Sequence, residues 1–349
     1  IKVDTTRMIP KEQVVVVVTN EGYIKKVPQR SYNTAKEEET TLKENDYVTG
    51  LYNITTTDTL LLFTNLGNYL YLPVYDIPEV KWKELGKHIS NIISLSPEEK
   101  VINSIPVYNF DEERYITSFT KNGMVKRTLL NEFKVQRYSK PIKMMNLKGN
   151  DKVISVTDST LSNVFIATSN GYGLWYDINE VPVVGIKAAG VKAISLKDDY
   201  VVSGILFDVA SEYLTILTDK GTAKRMRLTE LEKTSRAKRG ILLMKTIKSN
   251  PSKIIKAYII NSKNQIGIVS DDYSKIVKLT EISIMDRYSN GSYIIKDRII
   301  DSYIVSELIS KEDKEEVTEE IVVEKKQISL SEIDDKLSNI DSIIKDINE

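Results

Sequence analysis

Cysteine is absent from the 349 residues, and histidine occurs once, as His88. The first absence excludes a disulfide framework, a thiolate metal site and a cysteine nucleophile. The second leaves any histidine-based triad or metal cluster with a single member. His88 is expected at the surface or in a loop. No apolar run of about 18 residues occurs, and the N-terminus carries no basic-then-apolar leader, so no membrane partner is expected. A cysteine-free chain suits a reducing cytoplasm. GxxxxGK[ST], GxSxG, HExxH and EF-hand patterns are all missing. No catalytic residue and no metal ligand is nominated. The chain opens on Ile1-Lys2-Val3-Asp4, which reads as a piece cut from a longer protein.

Net charge is lacking as well, with 49 basic and 49 acidic residues. That balance hides a division. From Glu307 onward there are 14 acidic and 6 basic residues, leaving 43 basic and 35 acidic residues before it. A moderately basic body is followed by an acidic tail.

What the chain does contain is a repeat. Leu217-Thr-Asp-Lys-Gly221-Thr-Ala-Lys224-Arg225 follows an apolar run and reads as a β-hairpin. The same unit recurs at Thr19-Asn-Glu-Gly22, Thr64-Asn-Leu-Gly67, Thr120-Lys-Asn-Gly123 and Thr168-Ser-Asn-Gly171, with a degenerate sixth copy at Val269-Ser-Asp-Asp272. The anchors are 45, 56, 48, 50 and 51 residues apart. Between them short apolar runs, such as the valines of 14–18, alternate with Gly, Asn, Asp and Pro, and long helical periodicity is scarce. Six units of about 50 residues predict an all-β closed array of six four-stranded blades.

Alignment on the anchor adds detail. Ten residues on stand Tyr32, Ile77, Phe133, Val181, Leu231 and Ile282, expected to plug each blade onto its neighbour. One residue earlier, Asp76, Glu132, Glu180, Glu230 and Glu281 are expected to cap the preceding turn. Nineteen residues past the anchor come Gly86, Gly190, Gly240 and Gly291.

Cations recur too. The paired positions after the anchor hold Lys25 and Lys26, Lys126 and Arg127, Lys224 and Arg225, and Lys275 in the sixth copy. Blades two and four have Leu70-Tyr71 and Leu174-Trp175 there instead. A second basic loop holds Lys81 and Lys83, Arg137 and Lys140, Lys187 with Lys192 just beyond it, Arg236 with Lys238 and Arg239, and Arg287. Equivalent positions around an axis share a rim, so these cations are expected to form a belt suited to a bent polyanion. Blades one, three and five are expected to grip through the paired site, and the even blades through their second loops. A protein-binding scaffold and a propeller-type enzyme remain open on the residues alone.

The repeated apolar-T-x-x-G-x-x-[KR]-[KR] unit resembles the C-terminal domain of the A-type polypeptide of bacterial type IIA topoisomerases. The likeness is carried by Val181-Pro-Val-Val-Gly-Ile-Lys-Ala-Ala-Gly190 running into Val191-Lys192-Ala193, by Thr234-Ser-Arg-Ala-Lys-Arg-Gly240, by Tyr288-Ser-Asn-Gly-Ser292 and by Lys81-Trp-Lys-Glu-Leu-Gly86. It covers residues 5–305. The resemblance implies a β-pinwheel, a disc of propeller-like blades with exchanged strands, which binds and bends duplex DNA around its rim. It implies a topoisomerase IV-type domain rather than a gyrase-type one. The gyrase box, basic and glycine-rich in blade one, is replaced here by Ser31-Tyr-Asn-Thr-Ala-Lys-Glu-Glu-Glu-Thr-Thr41, with no glycine and three glutamates.

The further implications are duplex DNA as partner and no cofactor in this domain. The parent would be a cytoplasmic, nucleoid-associated enzyme of chromosome segregation, an A₂B₂ tetramer with a ParE-type B subunit. ATP and Mg²⁺ would be bound elsewhere in it.

The expected organisation is a linker at 1–13 from an absent catalytic core, the disc at 14–305, and an acidic tail at 306–349. In that tail Leu330, Ile333, Leu337, Ile340, Ile344 and Ile347 predict an amphipathic helix over 330–347, with Ser329 and Glu332 as its capping box. The tail's acidity is expected to compete with DNA for the belt.

Overall fold

The computed structural model describes residues 8–314. Residues 1–308 form one compact unit and 309–349 a second. The helix expected over 330–347 lies outside the described residues.

The first unit is a ring of six antiparallel sheets, as the repeat predicts. Blade five shows the plan. From the axis outward it runs Ile254–Tyr258, Tyr213–Thr218, Thr222–Arg227 and Ser292–Tyr293. The last strand belongs to the following repeat, and blades one to five all borrow their outer edge in this way. Lys87–His88 completes blade one, Ile142–Lys143 blade two, Val191–Lys192 blade three and Ile241–Leu242 blade four. Blade six has three strands among the described residues: Ile299–Ile304, Gln265–Ser270 and Ser274–Lys278. The ring closes where blade six meets blade one. Tyr47 stacks on Tyr303 with ring centroids 3.6 Å apart, and the Ser306 hydroxyl donates to the Val48 carbonyl.

The sheets of blades one to five are covered on both faces, which is why their strands read as apolar runs rather than alternating ones, whereas blade six leaves Ile276, Ile300 and Ile304 exposed. Val14, Val16 and Val18 face blade two, while Val15 and Val17 pack with Val27 and Trp82. Five of the six plug positions behave as expected, and Tyr32 does not: it is half-buried against Trp82 of the following repeat. Ile77, Phe133, Val181, Leu231 and Ile282 are buried, each in a cluster shared with the preceding blade. Phe133, wholly buried between Phe63 and Tyr69, would cost about 3–5 kcal/mol as alanine.

The anchor glycines take φ between +78° and +95°, the left-handed turn their spacing predicts. The later glycines serve a different need, close approach to the blade that receives the strand. At Gly240, φ is +84° and a Cβ would lie 2.1 Å from the Gly173 carbonyl oxygen. Gly240→Ala is therefore expected to destabilise the disc by about 2–4 kcal/mol in denaturant titrations. Gly149→Ala, with φ +60° and nothing within 4 Å, is expected to cost only about 1 kcal/mol.

One element has no counterpart in the sequence pattern. Gln29–Ala35 forms a short helix after Pro28, with no buried residue on any face. It carries no apolar stripe for periodicity to detect. His88 is in neither a loop nor an open surface. It sits half-buried in an exchanged strand, bonded through its ring nitrogens to Ser90 Oγ and the Glu21 carbonyl.

Candidate nucleic-acid interface

The paired cations of the hairpins are not on an exposed belt. Lys25, Lys26, Lys126, Lys224 and Arg225 are buried and Arg127 is half-buried. Sequence periodicity places them on one circle correctly, but their strand lies inside the blade. Neighbouring blades pack on its faces, and the next repeat crosses over it. Parallel bridges mark the crossing: Lys26 with Glu79, Arg127 with Val183, Trp175 with Lys233 and Arg225 with Ile284. Of this series only Lys275 is exposed, and among the described residues no crossing segment bridges to it.

The buried lysines fasten the loops that follow. Lys126 Nζ donates to the carbonyls of Met144, Gly185 and Ile186 at 2.6, 3.1 and 2.7 Å. Lys224 Nζ donates to Leu243, Asp286, Arg287 and Ser289 within 2.9 Å. Lys25 Nζ donates to Trp82 and Glu84, both at 2.7 Å. An ammonium has three protons to give, and each cage offers enough carbonyl lone pairs to take them. Burial pushes each lysine down to about 8, while the nearest carboxylates, Glu84, Glu132 and Asp286, pull the other way. The Arg127 and Arg225 guanidiniums do similar work, donating to the Val181 and Ile282 carbonyls and lying over Tyr115 and Tyr213.

The even blades solve the same problem without lysine. Beside Tyr71 of blade two, Tyr138 packs at 5.2 Å between ring centroids, and its hydroxyl meets that of Tyr75. In blade five's loop Arg236 reaches back itself, donating to the Glu180 and Lys192 carbonyls at 2.8 and 2.6 Å. Arg236 is thus half-buried and largely structural.

Three of the five regularly spaced carboxylates cap a different turn from the one expected, and Asp76 instead lies near Lys26. Glu132 accepts from the Ile186 amide, Glu180 from the Arg236 amide and Glu230 from the Arg287 amide at 2.7 Å. Each therefore holds the basic loop of the next blade. Only Glu281 caps locally, accepting from the Lys278 amide. Sequence alignment finds the position, but it cannot show that neighbouring repeats interlock there.

These fastenings present a second set of cations to solvent. Lys83, Arg137, Lys140, Lys187, Lys192, Lys238 and Arg239 are exposed, and Arg287 is half-buried. All precede or occupy a borrowed strand, so the topology sets them at the outer edge of the blades. Arg239 lies over the Tyr172 ring at 4.2 Å, and Arg287 over Tyr288 at 4.5 Å. Stacking fixes the guanidinium plane and leaves the Arg239 N–H groups to meet an anion, whereas Arg287 already donates to the Leu242 carbonyl at 3.0 Å and the Tyr288 hydroxyl at 2.6 Å. Among the described residues, Lys83 is the one candidate cation engaged in an ion pair, with Glu38.

The inner strands border a cavity of about 1050 Å³ on the axis, lined by Tyr47, His88, Glu99, Lys100, Lys256 and Asp301 among others. Glu99 there accepts from Thr64 Oγ1 and Asn68 Nδ2. The described residues hold no group of three His, Cys, Asp or Glu side chains placed to bind a metal ion.

A six-bladed, strand-exchanging propeller with rigidly seated basic loops at its edge defines the class of this protein. The family model described as the DNA gyrase C-terminal domain, a β-propeller, matches residues 13–36, 58–107, 114–157, 162–207 and 212–261, and the chain belongs to that family. Within the family the similarity is to topoisomerase IV. The A-type polypeptide of DNA topoisomerase 4 from Bacillus subtilis (strain 168) is 41% identical over 300 residues, 85% of this chain and 37% of that protein. Its counterpart from Staphylococcus epidermidis is 36% identical over 299 residues, 84% of this chain and 37% of that protein. A crystal structure of the C-terminal domain of DNA topoisomerase IV superposes with a TM-score of 0.82 at 40% identity, covering 85% of this chain and 94% of that one. The chain thus spans little more than a third of the curated relatives' length.

Proposed function

We propose that this chain is the non-catalytic DNA-binding and DNA-bending domain of the ParC-type polypeptide of a topoisomerase IV. The observation that carries the reading is the set of exposed cations on the outer loops of successive blades. Each of those loops is pinned from beneath by a buried lysine, a tyrosine pair or a glutamate cap. Flexible surface lysines are ordinary. Cations on preformed loops at a repeated radial position can meet phosphates without the entropic cost of ordering the backbone.

Contacts of this kind go to the phosphate backbone and carry little base readout. A duplex following the edge of a disc has to bend, so sequences with flexible steps are favoured. In the parent enzyme the domain would steer duplex segments to the strand-passage core for ATP-dependent decatenation and relaxation. ATP and Mg²⁺ would bind in other parts of an assembly with a ParE-type B subunit, in the cytoplasm at the nucleoid. Residues 1–13 would link to the catalytic part, residues 14–305 would bind DNA, and residues 306–349 would form a separate tail.

Electrophoretic shifts across duplex length and salt test the reading. Six exposed loop cations, Arg137, Lys140, Lys187, Lys192, Lys238 and Arg239, set a log–log salt slope near −5, so affinity is expected to fall about 10³-fold between 50 and 200 mM salt. Affinity should rise with duplex length up to about three helical turns and depend little on sequence. Salt-independent or absent binding overturns the proposal.

A further inference from the structure

The basic loop of blade two differs from the others in what lies across it: blade four's loop is bonded by Asn146 and blade five's by Ala193 and Ser195, all neutral, whereas blade two's lies under an acidic segment. Residues 36–41, which follow the short helix of blade one, lie across it. The Trp82 indole Nε1 donates to the Glu38 carbonyl at 2.8 Å, and Thr40 Oγ1 donates to the Trp82 carbonyl at 2.6 Å. Thr41 Oγ1 donates to the Lys83 carbonyl, Lys25 Nζ reaches Thr40 Oγ1, and Tyr32 packs edge-on against Trp82 at 5.1 Å. Trp82 is buried beneath this strap. The strap is therefore a seated part of the fold.

It also brings charge. Glu37, Glu38 and Glu39 are exposed on it, and Glu38 pairs with Lys83. Lys36, Lys81, Lys83 and Glu84 are the other exposed charges of this patch, so four acidic groups face three basic ones at its surface, with Lys25 buried beneath. Blade five presents Lys238 and Arg239 at the matching place, with Arg236 turned in to bond the Glu180 and Lys192 carbonyls and the Glu180 carboxylate engaged by a backbone amide. A phosphate approaching blade two meets three carboxylates within a Debye length of about 10 Å.

We propose that Glu37, Glu38 and Glu39 form a fixed end-stop for DNA, masking the blade-two loop so that the duplex is held along blades three to six only. The proposal rests on the DNA-binding reading above and adds where the contact ends. The masking groups are side-chain carboxylates, whereas the strap is held mainly through backbone carbonyls and threonine hydroxyls. Charge can thus be removed without unseating it.

The test is E37Q/E38Q/E39Q in the whole chain, with Trp82 fluorescence confirming that the strap stays in place. Freeing Lys81 and Lys83 is expected to steepen the salt slope by about two and to tighten duplex binding at 0.1 M salt by at least about tenfold. The DNA length protected from hydroxyl radicals should grow. K81Q/K83Q alone is expected to leave wild-type affinity unchanged, and in the triple-Gln background to abolish the gain. A triple-Gln protein with wild-type slope and protected length overturns the end-stop. So does a K81Q/K83Q protein that loses as much affinity as K238Q/R239Q, and that variant answers the question even if the triple change unseats the strap. Failure of the wild type to bind any duplex overturns the DNA-binding reading itself, and the end-stop with it.

Discussion

Lys126→Met is expected to destabilise the disc by about 3–5 kcal/mol, although lysine and methionine fill similar space. The reason lies in what the side chain leaves behind. Nζ serves the carbonyls of Met144, Gly185 and Ile186, all drawn in toward a buried ammonium. Methionine offers them no proton, and each unsatisfied buried acceptor costs about 1–3 kcal/mol. Removing one side of a buried charged arrangement is correspondingly severe. Denaturant titration at neutral pH measures the effect. Lys140→Met, on an exposed side chain, is the control and should stay within about 0.5 kcal/mol. The pair also separates two roles that sequence merges. Lys126 should alter DNA affinity only through loss of folded protein. Lys140 should alter the affinity of protein that remains folded.

The second large effect is on binding. Lys238→Glu with Arg239→Glu is expected to weaken duplex affinity roughly 50- to 100-fold at 0.1 M salt and to flatten the salt slope by about two. At that concentration each phosphate contact contributes close to tenfold through counterion release. Both side chains are exposed, and neither donates to the carbonyls that fasten their loop. Stability should therefore hold. Arg236 is left out of this pair because it bonds the Glu180 and Lys192 carbonyls, so its loss would mix unfolding with lost contact. A double variant that binds with wild-type affinity and slope removes blade five from the DNA path.

The fold is almost wholly legible in the sequence because a repeat writes its architecture several times. Anchor glycines, plug residues and spacing together specify six blades. The interface is legible only in part. Lys126 and Arg127 have the look of a surface pair, and alternation along an isolated strand would expose one of them. Their burial follows from strand exchange, which lays Val183 of the next repeat across Arg127, 56 positions later in the chain. No local pattern encodes that. A signal is nonetheless present. Blades two and four put Leu-Tyr and Leu-Trp at the same two positions. A site that accepts large apolar residues in some copies is an interior site, and the lysines sharing it are caged rather than free. The acidity of the blade-one strap is plain in the sequence. Its docking on Trp82 is not, since the contact joins residues over 40 apart through side chains.

Borrowed strands also set an order of events during synthesis. Blade four has its own three strands once Phe207 is made, yet its outer strand, Ile241–Leu242, is still 34 residues away. At a ribosomal pace of about 5–20 residues per second, that delay is roughly 2–7 seconds. Throughout it the nascent blade offers an open backbone edge to whatever lies near. When the strand arrives, the edge is sealed and the vulnerability passes to the next blade. The unfinished edge of a growing chain thus moves along with translation like a bookmark, overlapping with the next only while a new hairpin such as 213–227 precedes the sealing strand. Among the described residues it comes to rest at Ser274–Lys278 of blade six, which has no outer partner strand there.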